Sequence, residues 1–248
     1  MRVAAIYDIH GNLPALEAVL RDIRLAQVDQ IVIGGDVGPG PMPDETIETL
    51  LSLDIPVRFI QGNGDREVLE LMSGAESSTL PEQVKELLRH SAEHLCSEHV
   101  QLMTSWPKTL IIDIADLGKV MFCHATPESD TKIFTRLTPE DRLLPLFKGL
   151  NVQLIICGHT HMQFDRMIGK IRVVNAGSAG MPFGERGAYW LLLTSDVQLR
   201  HTTYDLEEAA ERIRKTSYPQ ASDFAEHNIL HPPTEQEMIE AFSKMELR

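Results

Sequence analysis

The sequence predicts an α/β fold on a mainly parallel sheet, with a helical extension at the C-terminal end. Three apolar, β-branched runs, residues 3–7, 30–33 and 56–60, each end in a loop rich in Gly, Asp or Asn, and each is followed by a helical pattern. Repeated strand-loop-helix units imply parallel strands. Further on, short apolar runs separated by turn residues predict more strands, and after Tyr204 the pattern becomes helical.

The first strand, residues 3–7, runs into Asp8-Ile9-His10-Gly11-Asn12. A helix starts near Pro14, a residue suited to a first turn. Leu16, Val19, Leu20 and Ile23 then fall at i, i+3, i+4 and i+7, so one face is buried. The second strand, 30–33, ends in Gly34-Gly35-Asp36. A Gly- and Pro-rich loop, 38–43, leads to a helix carrying Ile47, Leu50 and Leu51. The third strand, 56–60, ends in Gln61-Gly62-Asn63-Gly64-Asp65. Residues 66–72 read as a helix, 73–80 as a small, polar, mobile loop, and 81–103 as one long helical region closed by Trp106-Pro107. Residues 109–114 alternate as a strand, Asp116-Leu117-Gly118-Lys119 is a hairpin turn, and 120–123 return to His124. Residues 138–149 form a helix with Thr138 as N-cap and Pro139 in its first position.

Next, Leu154-Ile155-Ile156-Cys157 stops at Gly158-His159-Thr160-His161, the pattern of a buried strand that ends abruptly. Residues 163–168 and 170–174 pair around Gly169, Asn175-Ala176-Gly177-Ser178 makes a loop, and 188–193 pairs with 198–204. Residues 1–205 are thus expected to be the body and 206–248 a helical extension packed on it. In that extension, 206–215 is a helix, Pro232-Pro233 is a break and Thr234 caps a last helix. Its stripe of Met238, Ala241, Phe242 and Met245 is read as packing on the body, with a homo-oligomer contact as the alternative.

At 248 residues the chain is long enough for a substantial core. Its apolar fraction of 43% and charged fraction of 24% are ordinary for a globular protein. A formal net charge of −13 argues against non-specific binding to nucleic acid or anionic membranes. No apolar stretch has the ~18 residues of a membrane span, and nothing resembles a signal peptide, so the expected location is the cytoplasm. Cys96, Cys123 and Cys157 are odd in number and show no CxxC spacing, which points to reduced thiols.

Five loops at strand ends carry Asp8 and His10, Asp36, Asn63, His124, and His159 with His161. Binding sites of open α/β sheets gather outside the carboxyl ends of strands. Singly, each residue has an ordinary explanation: an aspartate cap, an Asn in a left-handed turn, a satisfied core histidine. Their recurrence at five strand ends argues for one shared site. Seven oxygen and nitrogen ligands suit two divalent cations with one carboxylate shared. Two aspartates and a bridging hydroxide would leave such a pair with a net charge of about +1, enough to draw a phosphate to an acidic chain.

Asp8-x-His10-Gly11-Asn12, Gly35-Asp36, Gly62-Asn63-x-Asp65, His124 and Gly158-His159-x-His161 together resemble the calcineurin-like metallophosphoesterases, in order. Asn175-x-Gly177-Ser178 is similar to a further loop of that family, and the resemblance spans residue 2 to about 204. The short loops look like its small bacterial and archaeal phosphodiesterase branch. The resemblance implies two packed mixed sheets flanked by helices, a four-layer αββα sandwich. It implies that Asp8, His10, Asp36 and His161 hold one metal and that Asp36, Asn63, His124 and His159 hold the other. It also implies attack of a metal-bound hydroxide on a phosphate ester, with Asp36, Asn63 and His124 at the reacting centre. Asn12, Asn63 and Arg66 are the candidate substrate contacts. Manganese is the first expectation for the metal, with Fe, Zn, Co or Ni as others.

One departure is Gly64, where many members carry a histidine thought to aid the leaving group. The expected substrate is a small phosphodiester. A phosphomonoesterase, a nucleotide pyrophosphohydrolase and a non-catalytic scaffold of the same fold are the competing readings. His201 is the first candidate for a replacement proton donor, and Gly64 is expected to hold a positive φ.

Overall fold

A computed structural model describes residues 1–75 and 80–247. Residues 76–79, within the segment read as a mobile loop, lie outside the described residues. The strands form two five-stranded sheets. In the first, β1 (Val3–Ile6), β2 (Gln30–Ile33) and β3 (Val57–Phe59) run parallel, and β9 (Ala188–Leu193) and β10 (Val197–Thr202) extend it antiparallel, in the order β10-β9-β1-β2-β3. In the second, β5 (Gly118–Cys123), β6 (Leu154–Cys157) and β8 (Ile171–Asn175) run parallel between antiparallel edges β4 (Thr109–Ile114) and β7 (Phe164–Ile168). The single mainly parallel sheet read from residue pattern is therefore two mixed sheets, each with a parallel centre.

Side-chain alternation builds the layers. Val3, Ala5, Tyr7 and Val32 meet Val120, Phe122, Leu154, Ile156 and Val174 of the second sheet in a shared core. Ala4, Ile6, Ile31 and Ile33 point the other way, into helices α1 (Leu13–Ala26), α2 (Pro43–Leu51), α4 (Glu82–His94) and α5 (Ser97–Thr104). Met121, Cys123, Ile155, Cys157 and Val173 pack with Leu143 and Phe147 of α6 (Glu140–Phe147) on the far side. Both faces of each central strand are covered, so these strands read as continuous apolar runs. The two sheets are also tied by Tyr7, whose buried hydroxyl donates to the Ile156 carbonyl at 3.0 Å.

Several boundaries differ from the sequence reading. The helical region 81–103 is two helices: Leu95 turns to extended backbone (ψ 128°) and Cys96 starts α5 as its N-cap. Neither residue is a helix breaker by propensity, so the sequence offers no mark of the break. Thr138 does not cap α6; Pro139 holds that position. Thr138 Oγ1 instead accepts from the Thr135 amide and donates to Glu246. The C-terminal segment holds α7 (Leu206–Arg214), the short α8 (Ala221–Phe224), a π-helical turn (Ala225–Leu230) and α9 (Glu235–Ser243). The π turn had no sequence signal. Of the α9 stripe, Met238, Ala241 and Phe242 are half-buried, Met245 is exposed, and Ile239 is the buried residue.

Gly34 gives this frame a sharp test. A Cβ there would lie 2.0 Å from the Tyr7 ring, which the shared core holds in place. Gly34→Ala is expected to cost about 1–3 kcal/mol of stability through overpacking, read as a lower urea midpoint. An unchanged midpoint would show that the ring is free to move.

Candidate metal centre

The carboxyl ends of the parallel strands of both sheets open at one place, and their loops interlock. The Asp8 amide donates to the Gly35 carbonyl, His10 to Asp36, and Gly11 to Val37. Gly158 N–H donates to the His124 carbonyl, while Ala179 and Gly180 donate to the carbonyls of Tyr7 and Asp8. Within this lattice Asp8, His10, Asp36, His159 and His161 all hold positive φ, from 49° to 67°. Left-handed backbone at a non-glycine residue costs on the order of 1–3 kcal/mol and persists where its surroundings over-determine it. It turns successive side chains of each short loop toward one place.

Six of the expected ligand side chains meet there closely. Asp8, His10 and His161 present ligand atoms within 4.8 Å of one another, as do Asp8, Asp36 and His124. Asn63, the first residue of α3 (Asn63–Met72), lies with Oδ1 3.0 Å from His124 Nε2. His159 stands beside these groups, its ring 5.1 Å from that of His124, centre to centre. Each carboxylate divides its oxygens. Asp8 Oδ2 accepts from the His159 amide, leaving Oδ1 3.5 Å from His161 Nε2 and 3.8 Å from His124 Nε2. Asp36 Oδ1 accepts from the Gly64 amide, leaving Oδ2 3.8 Å from His10 Nε2 and 3.5 Å from His124 Nε2.

The histidines are oriented from behind. Nδ1 of His161 faces the Met181 carbonyl at 2.7 Å, that of His124 faces Gly34 at 2.9 Å, and that of His10 faces Pro39 at 3.3 Å. A carbonyl at Nδ1 fixes the proton there and leaves Nε2 as a ligand, the usual support of metal-binding imidazoles. His159 is the reverse: Nε2 faces the Thr131 carbonyl at 3.2 Å, leaving Nδ1 as its ligand atom. Burial, then the neighbouring His124, pushes His159 down to about 4, and burial with His161 lowers His10. For His124 burial also opposes charge, but the carboxylates of Asp36 and Asp8 outweigh it and raise its pKa. Burial opposes charge on Asp8 as well, yet His161, His124 and His10 hold its carboxyl well below the usual range.

The donor set fits cations. Asp8 Oδ1 is buried and has no hydrogen-bond partner. His10 and His161 bring their Nε2 atoms to 3.2 Å, both with Nδ1 already facing carbonyls. Lone pairs facing each other at that range are stabilised by positive charge between them. Asp36 Oδ2, between nitrogens assigned to different metals, is the oxygen placed to be shared.

A profile of the calcineurin-like phosphoesterase superfamily domain matches residues 1–197. The chain belongs to that superfamily. It is 31% identical over 240 residues to the uncharacterized protein MJ0912 of Methanocaldococcus jannaschii, covering 88% of this chain and 94% of that one. It is 26% identical over 206 residues to the phosphodiesterase YfcE of Escherichia coli, covering 79% and 89%. Among solved structures, the hypothetical protein PH1004 of Pyrococcus horikoshii superposes with a TM-score of 0.80 at 21% identity, covering 94% of this chain and 99% of that one. A metallophosphoesterase of Sphaerobacter thermophilus does so with 0.71 at 23%, covering 91% and 97%. These two likenesses establish the shared fold, and the four-layer arrangement is that of the superfamily.

Two expected substrate contacts are placed differently. Asn12 is fully buried; its Oδ1 caps α1 through the Ala15 amide and its Nδ2 donates to the Gly180 carbonyl at 2.8 Å. Its work is to join two loops. Arg66 donates to Asp130 at 2.7 Å and to Glu70 at 2.9 Å, so its guanidinium is already held by carboxylates. His201 faces the Arg186 carbonyl and stacks on Tyr189. Gly64 lies in the first turn of α3, without positive φ. Its constraint is space: a Cβ would come 2.7 Å from Pro39 Cγ.

Other residues of the site were not singled out by sequence. Fully buried Asp65 accepts the amides of Asp36, Val37, Gly38 and Gly62, at 2.8–3.2 Å. Burial and then Asp36 push its pKa up to about 7, against the pull of those amides. Asn175 donates to the Gly158 carbonyl and to Thr160, and Ser178 donates to the Asp8 carbonyl. Phe183 stacks on His161 at 5.2 Å, with Phe242 of α9 behind it at 6.1 Å. Asp65, Asn175 and Ser178 were visible only as parts of motifs, without a role, and Phe183 and Phe242 carried no site signal.

Asp65→Asn replaces an all-acceptor group by one whose amide hydrogens face the backbone donors. Although Asp65 is outside the ligand set, the substitution is expected to weaken metal binding by about 10–100-fold. Competition with a chromophoric chelator measures it; wild-type affinity in folded D65N would remove Asp65 from the account.

Proposed function

We propose that this superfamily member is a cytoplasmic phosphodiesterase for small phosphate esters, working with two divalent cations, manganese first among them. The observation that carries the proposal is the position of Asp36 Oδ2, turned between His10 and His124 while its other oxygen is anchored to Gly64. His10, His161 and Asp8 would hold one cation and His124, Asn63 and His159 the other, with Asp36 common to both. Bound, two cations supply positive charge to a phosphate and lower the pKa of water toward about 7.

The chain's own residues set the geometry. Backbone carbonyls aim the imidazoles, Asp65 clamps the Asp36 loop against the start of α3, and Phe183 forms an apolar wall beside His161. The donor set of oxygen and nitrogen, without sulfur, admits manganese alongside iron, zinc, cobalt and nickel. Free thiols at Cys123 and Cys157, both buried, support a reducing compartment. The name of the YfcE relative supports the diester preference.

Stripping metal with a chelator is expected to abolish hydrolysis of a nitrophenyl phosphodiester, and manganese to restore it. Asp36→Asn is expected to reduce turnover more than Asn63→Ala, since Asn63 serves one cation and Asp36 both. Near-wild-type turnover of Asp36→Asn at saturating metal would exclude the shared carboxylate.

The second test follows from Gly64. A positioned general acid typically contributes about 10²–10⁴-fold, most with poor leaving groups. With no histidine there, rates over a diester series are expected to rise steeply as the leaving group becomes more acidic. A flat dependence with chemistry rate-limiting would show that another side chain delivers the proton.

A further inference from the structure

We propose that Asp44, Cys96 and His99 form a second, independent cation site that takes one zinc-class ion. A carboxylate oxygen, the thiol sulfur and an imidazole nitrogen there all lie within 4.8 Å of one another. They come from two helix starts. Asp44 is in the first turn of α2; Cys96 is the N-cap of α5 and His99 is three residues on. On a helix, residues three apart are neighbours on one surface. Cys96 makes no capping hydrogen bond, so its side chain is not used to close the helix. The thiolate is the form of cysteine that binds metal.

His99 is the residue that points to a ligand. It is 6% exposed, and its Nδ1 lies 2.8 Å from Asp44 Oδ1. Yet Nδ1, buried, has no hydrogen-bond partner, and the Asp44 oxygen stands to it only at ion-pair distance. Donor atoms of one ion behave this way: their lone pairs converge on the ion rather than on each other, at about 2.0–2.3 Å for zinc. A thiolate, an imidazole and a single carboxylate make a borderline-soft set suited to zinc. The dinuclear centre, by contrast, offers oxygen and nitrogen alone.

Cys96 is exposed and Asp44 half-buried, so the fourth position faces solvent and takes water. On binding, the Cys96 thiol, which contacts the Glu98 carboxylate, releases its proton to solvent, and sulfur, nitrogen and oxygen each donate a lone pair. The ion would tie α5 to the start of α2. That helix begins where loop 38–43 ends, and the Pro39 carbonyl of this loop faces His10 Nδ1. The site therefore fastens the loop behind His10 without touching the dinuclear centre. An ion that binds only the folded chain stabilises it by mass action.

Cobalt(II) is the probe that separates the two centres, since a thiolate ligand gives cobalt an intense near-ultraviolet charge-transfer band and carboxylates and imidazoles do not. Metal-free full-length protein titrated with cobalt is expected to develop this band, saturating at one ion per chain. The band is expected to persist in Asp36→Asn and to vanish in Cys96→Ser, a substitution at an exposed position. Zinc is expected to slow iodoacetamide modification of Cys96 by about tenfold or more, because the bound sulfur is no longer a free thiolate. Cys123 and Cys157 are buried, so the modification reports on Cys96. Protection is expected to be lost in Asp44→Ala, a half-exposed position, and in His99→Gln if circular dichroism shows it folded. No cobalt–thiolate band, a band that survives Cys96→Ser, or alkylation indifferent to zinc would each overturn the site, whatever becomes of the phosphodiesterase reading.

Discussion

The constraint on which the rest of this structure depends is the crowding of acceptor atoms at one end of two packed sheets. Buried lone pairs do not gather at 3–4 Å unless something positive belongs among them, and Asp8 Oδ1 has no hydrogen bond to offset its burial. The fold sustains this through local strain held by distant support. Five of the expected ligand residues adopt left-handed backbone, and the loops that carry them are hydrogen-bonded to one another. The sandwich is in this sense a device for holding short loops at two facing rows of strand ends.

Electrostatics then explains how an acidic chain serves an anionic substrate. A net charge of −13 belongs to the whole molecule, whereas catalysis depends on the field within a few ångströms. The two aspartates of the centre each give one oxygen to a backbone amide, which fixes the other without adding charge. Arg66, the cation nearest in sequence to the Asn63 loop, is bound by Asp130 and Glu70. Under the proposed function, positive charge at the centre is supplied by the two cations.

Much of this was legible in the sequence, for definite reasons. Apolar runs ending at Asp, Asn, His and Gly locate strand ends, and seven side chains at five such ends are too specific a set for unrelated turns. The two-sheet arrangement was legible only through family resemblance. Residue pattern cannot say that β3 and β5 belong to different sheets, because both are short and apolar. The break at Leu95 and the displaced cap at Thr138 were invisible because tertiary partners decide them, such as Glu246 for Thr138. Asn12 and Arg66 show the commonest limit. A polar residue beside a site reads as a substrate contact, and only geometry shows that Asn12 joins two loops and that Arg66 faces carboxylates. Likewise Asp65 gains its role from four amides that no sequence spacing reveals.

The central claim is that this crowding of donors is a two-cation centre with Asp36 between the ions. Anomalous diffraction from crystals of manganese-loaded protein tests it most directly. The account predicts two manganese peaks about 3.5–4 Å apart, one against His10 and His161, the other against His124, with an Asp36 oxygen between them. A single peak, or two peaks with Asp36 bound to one alone, would contradict it.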